Sequence, residues 1–258
     1  MTKTALITGA SSGIGEVFAR QLARQGHRLI LVARSKAKLD KLAAELSGTY
    51  RIEVDVITAD LSEMHAALTI YERTEQLGVH VDLLINNAGS GLSGEFLSHS
   101  AEQYLQQIAL NITAVVELTH LYLPRMVAKG EGTIINLASL LSFFPFPYCS
   151  VYSATKAFVL SFTESLWEEY RHKGIKLLAL CPGPTDTPFF DTAKDVETNN
   201  KRTPQQVVTT ALKALERNKT YVIDGSANKL NAFLSRILSR KAIVTLFGSV
   251  IRKSMASK

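Results

Sequence analysis

Residues 9–15 read Gly9-Ala-Ser-Ser-Gly13-Ile-Gly15, and they lie between two segments of different period. Before them, Thr4-Ala-Leu-Ile-Thr8 is a short apolar run of the kind that forms a buried strand. After them, Val17, Phe18 and Leu22 share one face of a helix. Strand, glycine-rich turn and helix in this order make a phosphate site. The glycines Gly9, Gly13 and Gly15 let a pyrophosphate approach the backbone, Ser11, Ser12 and Ile14 fill out the turn, and the helix N-terminus faces the negative charge. The spacing is Gly-x-x-x-Gly-x-Gly, not the Gly-x-Gly-x-x-Gly of the commonest dinucleotide fingerprint.

The same alternation continues along the chain. Apolar runs at 29–33, 54–59, 82–86, 133–138, 176–181 and 221–223 read as strands, with helical patterns between most of them. Ser62 is placed to cap a helix running to about Leu77, and Thr203-Pro204 to open another, with the threonine as cap and proline at the first position. Repeated strand–helix units predict an α/β chain with a doubly wound parallel sheet. A length of 258 residues, 46% of them hydrophobic, suits one such domain with a large core, and no linker or repeat divides it.

The strand ending Asn136-Leu-Ala-Ser139 stops on a hydroxyl, as a strand does when its carboxyl end opens onto a site. Beyond a Phe/Pro-rich loop come Tyr152 and Lys156, four residues apart among helix formers, so the phenol and the ammonium share a helix face. A cation beside a phenol favours phenolate and lowers a pKa that is otherwise about 10. A tyrosine so placed is suited to proton transfer near neutrality. Asn111 stands mid-helix between Leu110 and Ile112, where it either holds a water or is exposed. The strand ending at Ala33 is followed by Arg34, with Lys36 and Lys38 beyond, where an NAD enzyme would carry an acid for the ribose hydroxyl. An arginine there suits a 2′-phosphate through charge-assisted hydrogen bonds.

Together these residues resemble the short-chain dehydrogenase/reductase family over about residues 3–225. Thr8-Gly-Ala-Ser-Ser-Gly-Ile-Gly15 resembles its cofactor loop, and Asn86-Asn87-Ala88-Gly89 its central-strand motif. Asn111, Ser139, Tyr152 and Lys156 match its catalytic tetrad, and Pro182-Gly183 with Thr185 and Thr187 the motif that covers the nicotinamide. The resemblance implies a single-domain Rossmann-type fold and NADP(H) as cofactor, with Asp60 and Leu61 at the adenine end and Arg34 marking the NADP-preferring branch. It implies further that Tyr152 is proton donor and acceptor and that Lys156 holds the nicotinamide ribose. Ser139 would bond the substrate oxygen, and Asn111 would keep a water that relays protons to Lys156. No metal is expected.

The function that follows is interconversion of a carbonyl and a secondary alcohol on a fairly apolar small-molecule substrate. The loop Leu140–Tyr148 and the pair Phe189-Phe190 are placed either to line the pocket or to pack as core or subunit contact. The enzyme alternative is a 3-oxoacyl-acyl-carrier-protein reductase. A cofactor-binding regulatory protein is the non-catalytic one, opposed by the intact tetrad.

The net charge of +6 belongs to the tail. Residues 1–226 hold 22 basic and 23 acidic side chains, whereas residues 227–258 hold seven basic ones (Lys229, Arg236, Arg240, Lys241, Arg252, Lys253, Lys258) and no acid. With the body neutral, no nucleic-acid partner is expected. Residues 226–258 read as a basic helical extension of the 1–225 catalytic domain, with apolar stripes at Leu230, Phe233, Leu234, Ile237, Leu238 and at Ile243, Val244, Phe247, Val250, Ile251. Either the protein's own body or a sister subunit in a dimer or tetramer covers these stripes, or an anionic membrane surface does. Two cysteines, Cys149 and Cys181, and an N-terminal apolar run too short for a signal peptide fit a reducing cytoplasm.

Overall fold

In an apolar run with no polar alternation, both faces of a strand must be covered, and that requirement sets the architecture. The computed structural model describes residues 2–189 and 201–256. It contains a seven-stranded sheet with all pairs parallel, β1 (Thr4–Thr8), β2 (Arg28–Ala33), β3 (Val54–Thr58), β4 (Leu83–Asn86), β5 (Gly132–Leu137), β6 (Ile175–Cys181) and β7 (Tyr221–Ile223), in the order 3-2-1-4-5-6-7. The order reverses direction between β1 and β4, and a crevice opens there at the carboxyl ends of the strands.

Successive strand residues point to opposite faces, and the two cores divide accordingly. Ile7, Leu29, Leu31 and Ile85 pack with α1 (Gly13–Arg24), α2 (Lys36–Tyr50) and α7 (Pro204–Glu216), through Phe18, Leu22, Leu39, Leu46 and Val207. Leu6, Ile30, Leu84 and Ile134 face α3 (Ala66–Gln76) and α5 (Ala114–Lys129), through Ile70, Leu118 and Met126. Removing side chains such as Phe18 and Leu22 from water contributes ~1.5–3 kcal/mol each. α4 (Ala101–Ile108) runs into α5 through a π-helical turn at Ala109–Thr113, and α6 (Ser150–Tyr170) packs on β6 in a third cluster, through Val159 and Leu160 against Ala179 and Cys181. The tail forms α8 (Ser226–Ile237) and α9 (Arg240–Ala256).

Most expected boundaries hold within a residue or two. The Thr203 cap is present as a reciprocal box, its hydroxyl accepting from Gln206 N (3.3 Å) and its own N–H donating to the Gln206 side chain (3.1 Å). Ser62 is a correction. It caps nothing; its N–H and hydroxyl both donate to Asp60 (2.9 and 2.7 Å), and α3 starts after His65, which turns the chain at φ +65°. The bonds to Asp60 hold Ser62 in a local turn, three residues short of the helix start.

One ion pair fixes the β7 edge of the sheet. Arg202 donates through Nε and Nη2 to the two oxygens of Asp224 (2.8 and 3.0 Å), and Thr210 donates to the same carboxylate (2.6 Å). The Arg202 backbone meanwhile accepts from Asp186 N (2.8 Å) and donates to Pro184 O (2.9 Å). Asp224 is 0% exposed, so removing its partner leaves a buried charge. Arg202→Met is expected to cost about 3 kcal/mol, the lower end for a broken buried pair, and Asp224→Asn added to it should restore part of that. Urea melts of the three proteins test this; equal midpoints for wild type and the single variant would dismiss the role.

Candidate active site

The glycine-rich turn is built by close approach. Gly9 and Gly13 have φ of +65° and +61°, where a side chain is strained. A Cβ on Gly15 would stand 2.4 Å from Gly9 O and 2.5 Å from the Asn87 amide. That amide donates to Thr8 O (2.8 Å) and Gly9 O (3.2 Å), while the Thr8 hydroxyl accepts from Asn87 N (2.9 Å) and Ala88 N (3.0 Å). The ends of β1 and β4 are therefore joined directly at the reversal point. Ser12 precedes α1 in extended conformation, and its side chain makes no capping bond, so the first N–H groups of the helix face the crevice without a side-chain cap. Ser11, Ser12 and Ile14 are half-buried around this turn. A Cβ on Gly13 would meet Thr187 at 3.0 Å, so the turn after β6 reaches across the glycines. The cradle fits a nucleotide pyrophosphate: backbone donors, a helix N-terminus, and glycines wherever a side chain would fill the space.

Arg34 extends from the end of β2 with its side chain 78% exposed, 3.7 Å from the Asp60 carboxylate after β3. Burial alone would raise the Asp60 pKa, but the two Ser62 hydrogen bonds and the Arg34 charge outweigh it and hold the carboxyl below its usual range. Leu61 is buried in the core beneath. These groups flank the crevice on its β2–β3 side, one to two strands from the turn.

On the other side, β5 ends at Ala138-Ser139 and the chain is pinned by short bonds. The Ser139 hydroxyl oxygen accepts from Leu141 N (3.1 Å), which leaves its own hydrogen to give elsewhere. Ser142 accepts from Ser139 N (3.1 Å) and donates to Lys156 O (2.8 Å), tying this turn to α6. Leu140 N donates to Pro182 O (2.8 Å), which brings the Pro182-Gly183 turn alongside, and Thr185 closes that turn by donating to Gly183 O (2.9 Å).

Lys156 is 5% exposed, and its ammonium donates to Leu137 O (2.7 Å) and lies 5.8 Å from the centre of the Tyr152 ring. Burial pulls its pKa down from the ordinary lysine value to about 8. A Cβ on Gly89 would lie 3.2 Å from Asn111 Oδ1 and 3.4 Å from Lys156 Nζ, so the segment after β4 needs glycine to pass these two groups. Asn111 is not exposed. Within the π-helical turn it accepts from Ser90 N (3.0 Å) and donates to Ser90 O (2.9 Å) and the Thr155 hydroxyl (3.1 Å). Thr155 neighbours Lys156 on α6, so Asn111 couples the loop after β4 to the helix that carries the Tyr/Lys pair.

The apolar loop resolves toward packing. Phe144 is buried and stacks on Phe247 of α9 at 4.9 Å, Phe146 lies 5.2 Å from the same ring, and Phe143 lies 5.6 Å from Tyr221. Of the two readings left open for this loop, packing fits Phe143, Phe144 and Phe146, whose rings meet Tyr221 of β7 and Phe247 of α9. Phe189 does stand at the site, 5.8 Å from the Tyr152 ring and over Gly91, where a Cβ would meet it at 2.9 Å. Phe190 lies outside the described residues. A cleft of about 470 Å3, lined by Gly94, Phe96, Pro147, Tyr148, Val244 and Arg252 among others, opens beside the chain just ahead of Tyr152.

Sequence reasoning missed a buried polar ladder behind the site. Asn86 and Asn136 are in register on β4 and β5, and the Asn86 amide donates to Asn136 Oδ1 (2.9 Å) and the Thr119 hydroxyl of α5 (3.3 Å). Asn136 in turn donates to Thr163 of α6 (2.9 Å). Two asparagines ending apolar strands are a signal that could have been paired. Arg202 and Asp224 offered none, being 22 residues apart with no periodic relation.

The chain was compared with known proteins. A model of the short chain dehydrogenase family matches residues 3–198. The very-long-chain 3-oxoacyl-CoA reductase-A of Danio rerio is 38% identical over 81% of this chain, and the match covers 66% of that protein, so the chain spans just under two thirds of its length. Among solved structures, a short-chain dehydrogenase from Sphingobium yanoikuyae in complex with NADPH superposes with a TM-score of 0.82, at 38% identity over 86% of this chain and 87% of that one. The bulky-bulky ketone specific alcohol dehydrogenase of Comamonas testosteroni superposes with a TM-score of 0.79, at 34% identity over 91% and 92% of the two chains. With the family model matched across most of the chain and the fold shared with these enzymes, the protein is a member of the short-chain dehydrogenase/reductase family.

Proposed function

We propose that this chain reduces carbonyls to secondary alcohols, and runs the reverse reaction, with NADP(H) and a bulky, fairly apolar substrate. The observation that carries the reading is the placement of Tyr152 and the buried Lys156 on one face of α6, 5.8 Å from ring centre to ammonium, with that ammonium bonded to Leu137 O at the carboxyl end of β5, two residues before Ser139. Gly9, Ser11, Ser12, Gly13, Ile14 and Gly15 would hold the pyrophosphate, Asp60 and Leu61 the adenine end, and Asn87, Ala88, Gly89, Pro182, Gly183, Thr185 and Thr187 the nicotinamide end. When bound, the nicotinamide supplies or accepts the hydride. Ser139 orients the substrate oxygen with the hydroxyl hydrogen left free by its bond to Leu141 N. Tyr152 gives that oxygen its proton, and the neighbouring ammonium favours loss of the phenolic proton. Asn111 holds the loop after β4 against α6 and so keeps Lys156 in register.

The NADP preference is supported by Arg34, which is exposed at the end of β2 and lies 3.7 Å from Asp60. The NADPH held by the Sphingobium relative supports it too. The bulky substrate is supported by the Comamonas relative. A second reading, reduction of 3-oxoacyl thioesters, is favoured by the Danio relative. Turnover of aryl or cyclic ketones against a 3-oxoacyl-CoA series, with NADPH, separates the two.

Three outcomes follow from this chemistry. Arg34→Asp should weaken NADPH binding by ~10–100-fold, matching the ~1.5–3 kcal/mol of a hydrogen bond to a charged group, and leave NADH binding unchanged or tighter; equal wild-type affinities for the two cofactors would refute the preference. Tyr152→Phe should bind NADPH normally yet lose ~10²–10⁴-fold in turnover, the range for lost acid–base catalysis. Near-normal turnover in the folded variant would remove Tyr152 from the mechanism.

The third is a pH limb. Lys156 has its pKa depressed to about 8, so it is charged below that pH and neutral above it. Reductive kcat/KM, which reports the free enzyme, should therefore fall as pH rises through about 8. Lys156→Arg, charged throughout, should lose that limb whatever its absolute rate. A limb unmoved in this variant belongs to another group.

A further inference from the structure

The tail helix α8 lies on the body with the wrong face down. Asn228, Ala232 and Ser235 recur at one side of a 3.6-residue helix, and these small or polar residues make the contact. Asn228 donates to Asp224 O (2.7 Å) and occupies the space a Cβ on Gly183 would need (2.3 Å), Ala232 is buried, and Ser235 donates to Phe143 O (3.5 Å). The opposite side carries Leu230, Phe233, Leu234 and Ile237, all exposed, Phe233 at 58% and Ile237 at 65%. Helix α9 divides its apolar residues: Ile243 and Ile251 are buried, whereas Val244, Leu246 and Val250 are exposed. A soluble helix in its final environment shows the reverse arrangement.

The same two helices expose Lys229, Arg236, Arg240, Lys241 and Arg252, and the sequence from 227 onward holds no acid. We infer that the exposed apolar face of α8, extended by α9, docks in the plane of an anionic lipid bilayer. Large aliphatic and aromatic side chains enter the acyl boundary while the flanking lysines and arginines meet the headgroups. Lying in the surface is the available mode, because among the described residues no helix is long and apolar enough to cross a membrane. A second copy of this chain fits less well. A two-fold contact sets the same patch against itself, so the basic residues of both copies would face one another with no acid from either tail to neutralise them. The inference stands on the tail alone and does not need the substrate assigned above.

Full-length protein is sedimented with vesicles of phosphatidylcholine alone and of equal parts phosphatidylcholine and phosphatidylserine, at low and high salt. Two variants accompany it: Leu230→Ser/Phe233→Ser/Ile237→Ser, which removes the apolar face, and Lys229→Gln/Arg236→Gln/Arg240→Gln/Lys241→Gln, which removes charge. Wild type should pellet with the acidic vesicles at low salt and much less with neutral ones. Each variant should bind the acidic vesicles at least ~10-fold more weakly, with ketone reductase activity in vesicle-free buffer retained. Three results would overturn the inference: wild type left in the supernatant with acidic vesicles, equal binding to both compositions, or a lipid-free particle mass that drops for the serine variant, which would show that a second copy covers the face.

Discussion

The side-chain amide of Asn87 donates to two consecutive carbonyls, Thr8 O at 2.8 Å and Gly9 O at 3.2 Å, and the Thr8 hydroxyl answers by accepting from two consecutive N–H groups after β4. These bonds are made where the strand order reverses. Elsewhere in the sheet a ladder joins neighbouring strand ends, but beyond the reversal point the chains diverge to opposite faces and their backbone groups need other partners. The side chains of Asn87 and Thr8 supply them. The arrangement also explains the glycines at a physical level. With the amide seated 2.5 Å from where a Gly15 Cβ would be, the first turn of α1 can close on β1 only without a side chain at that position.

Lys156 shows what the rest of the scaffold accomplishes. A lysine 5% exposed would ordinarily be neutral or unpaired at a large cost, and here one carbonyl, Leu137 O, accepts from it at the end of β5. Its depressed pKa follows from that thin solvation. The helix bearing it is held from two directions: Ser142 binds the Lys156 carbonyl from the β5 turn, and Asn136 binds Thr163 two turns further along. The ladder Asn86–Asn136–Thr163 thus sets the height of α6 against the sheet. The pair Asn111–Thr155 sets it against the π-helical turn. The amide hydrogens of both asparagines and Asn136 Oδ1 are paired, while Asn86 Oδ1 is buried without a partner among the described residues, so the ladder orients α6 at the cost of one unpaired acceptor.

Much of this was legible in the sequence, for reasons that separate cleanly. The strands are apolar on both faces, so each stands out as a short unbroken run, and their alternation with helical periods carries the whole topology. The glycine turn and the Tyr152/Lys156 pair are local spacings, visible because their partners lie within one turn. What escaped depends on contacts between distant elements. Asn111 sits on a helix whose pattern says nothing of its bonds to Ser90 and Thr155. Phe144 and Phe146 look like pocket residues until α9 is placed over them, 100 residues later in the chain for the Phe146–Phe247 contact to within one residue. Ser62 fails as a cap because the helix begins only after His65, three residues further on.

That displacement of the phenylalanines changes what the tail is for. The stack of Phe144 on Phe247 braces the turn between Ser139 and Tyr152 from outside, while Leu140 N, bonded to Pro182 O, braces it from within. On the next turn, Asn228 of α8 is wedged against Gly183, and its bond to Asp224 O ties it to the residue that pairs with Arg202. Both chain segments that flank the substrate side of the crevice therefore rest on the tail. A helix that docks through asparagine, alanine and serine makes a contact that is close in shape but poor in buried apolar area. Its hold on Pro182-Gly183 then depends on geometry more than on hydrophobic burial.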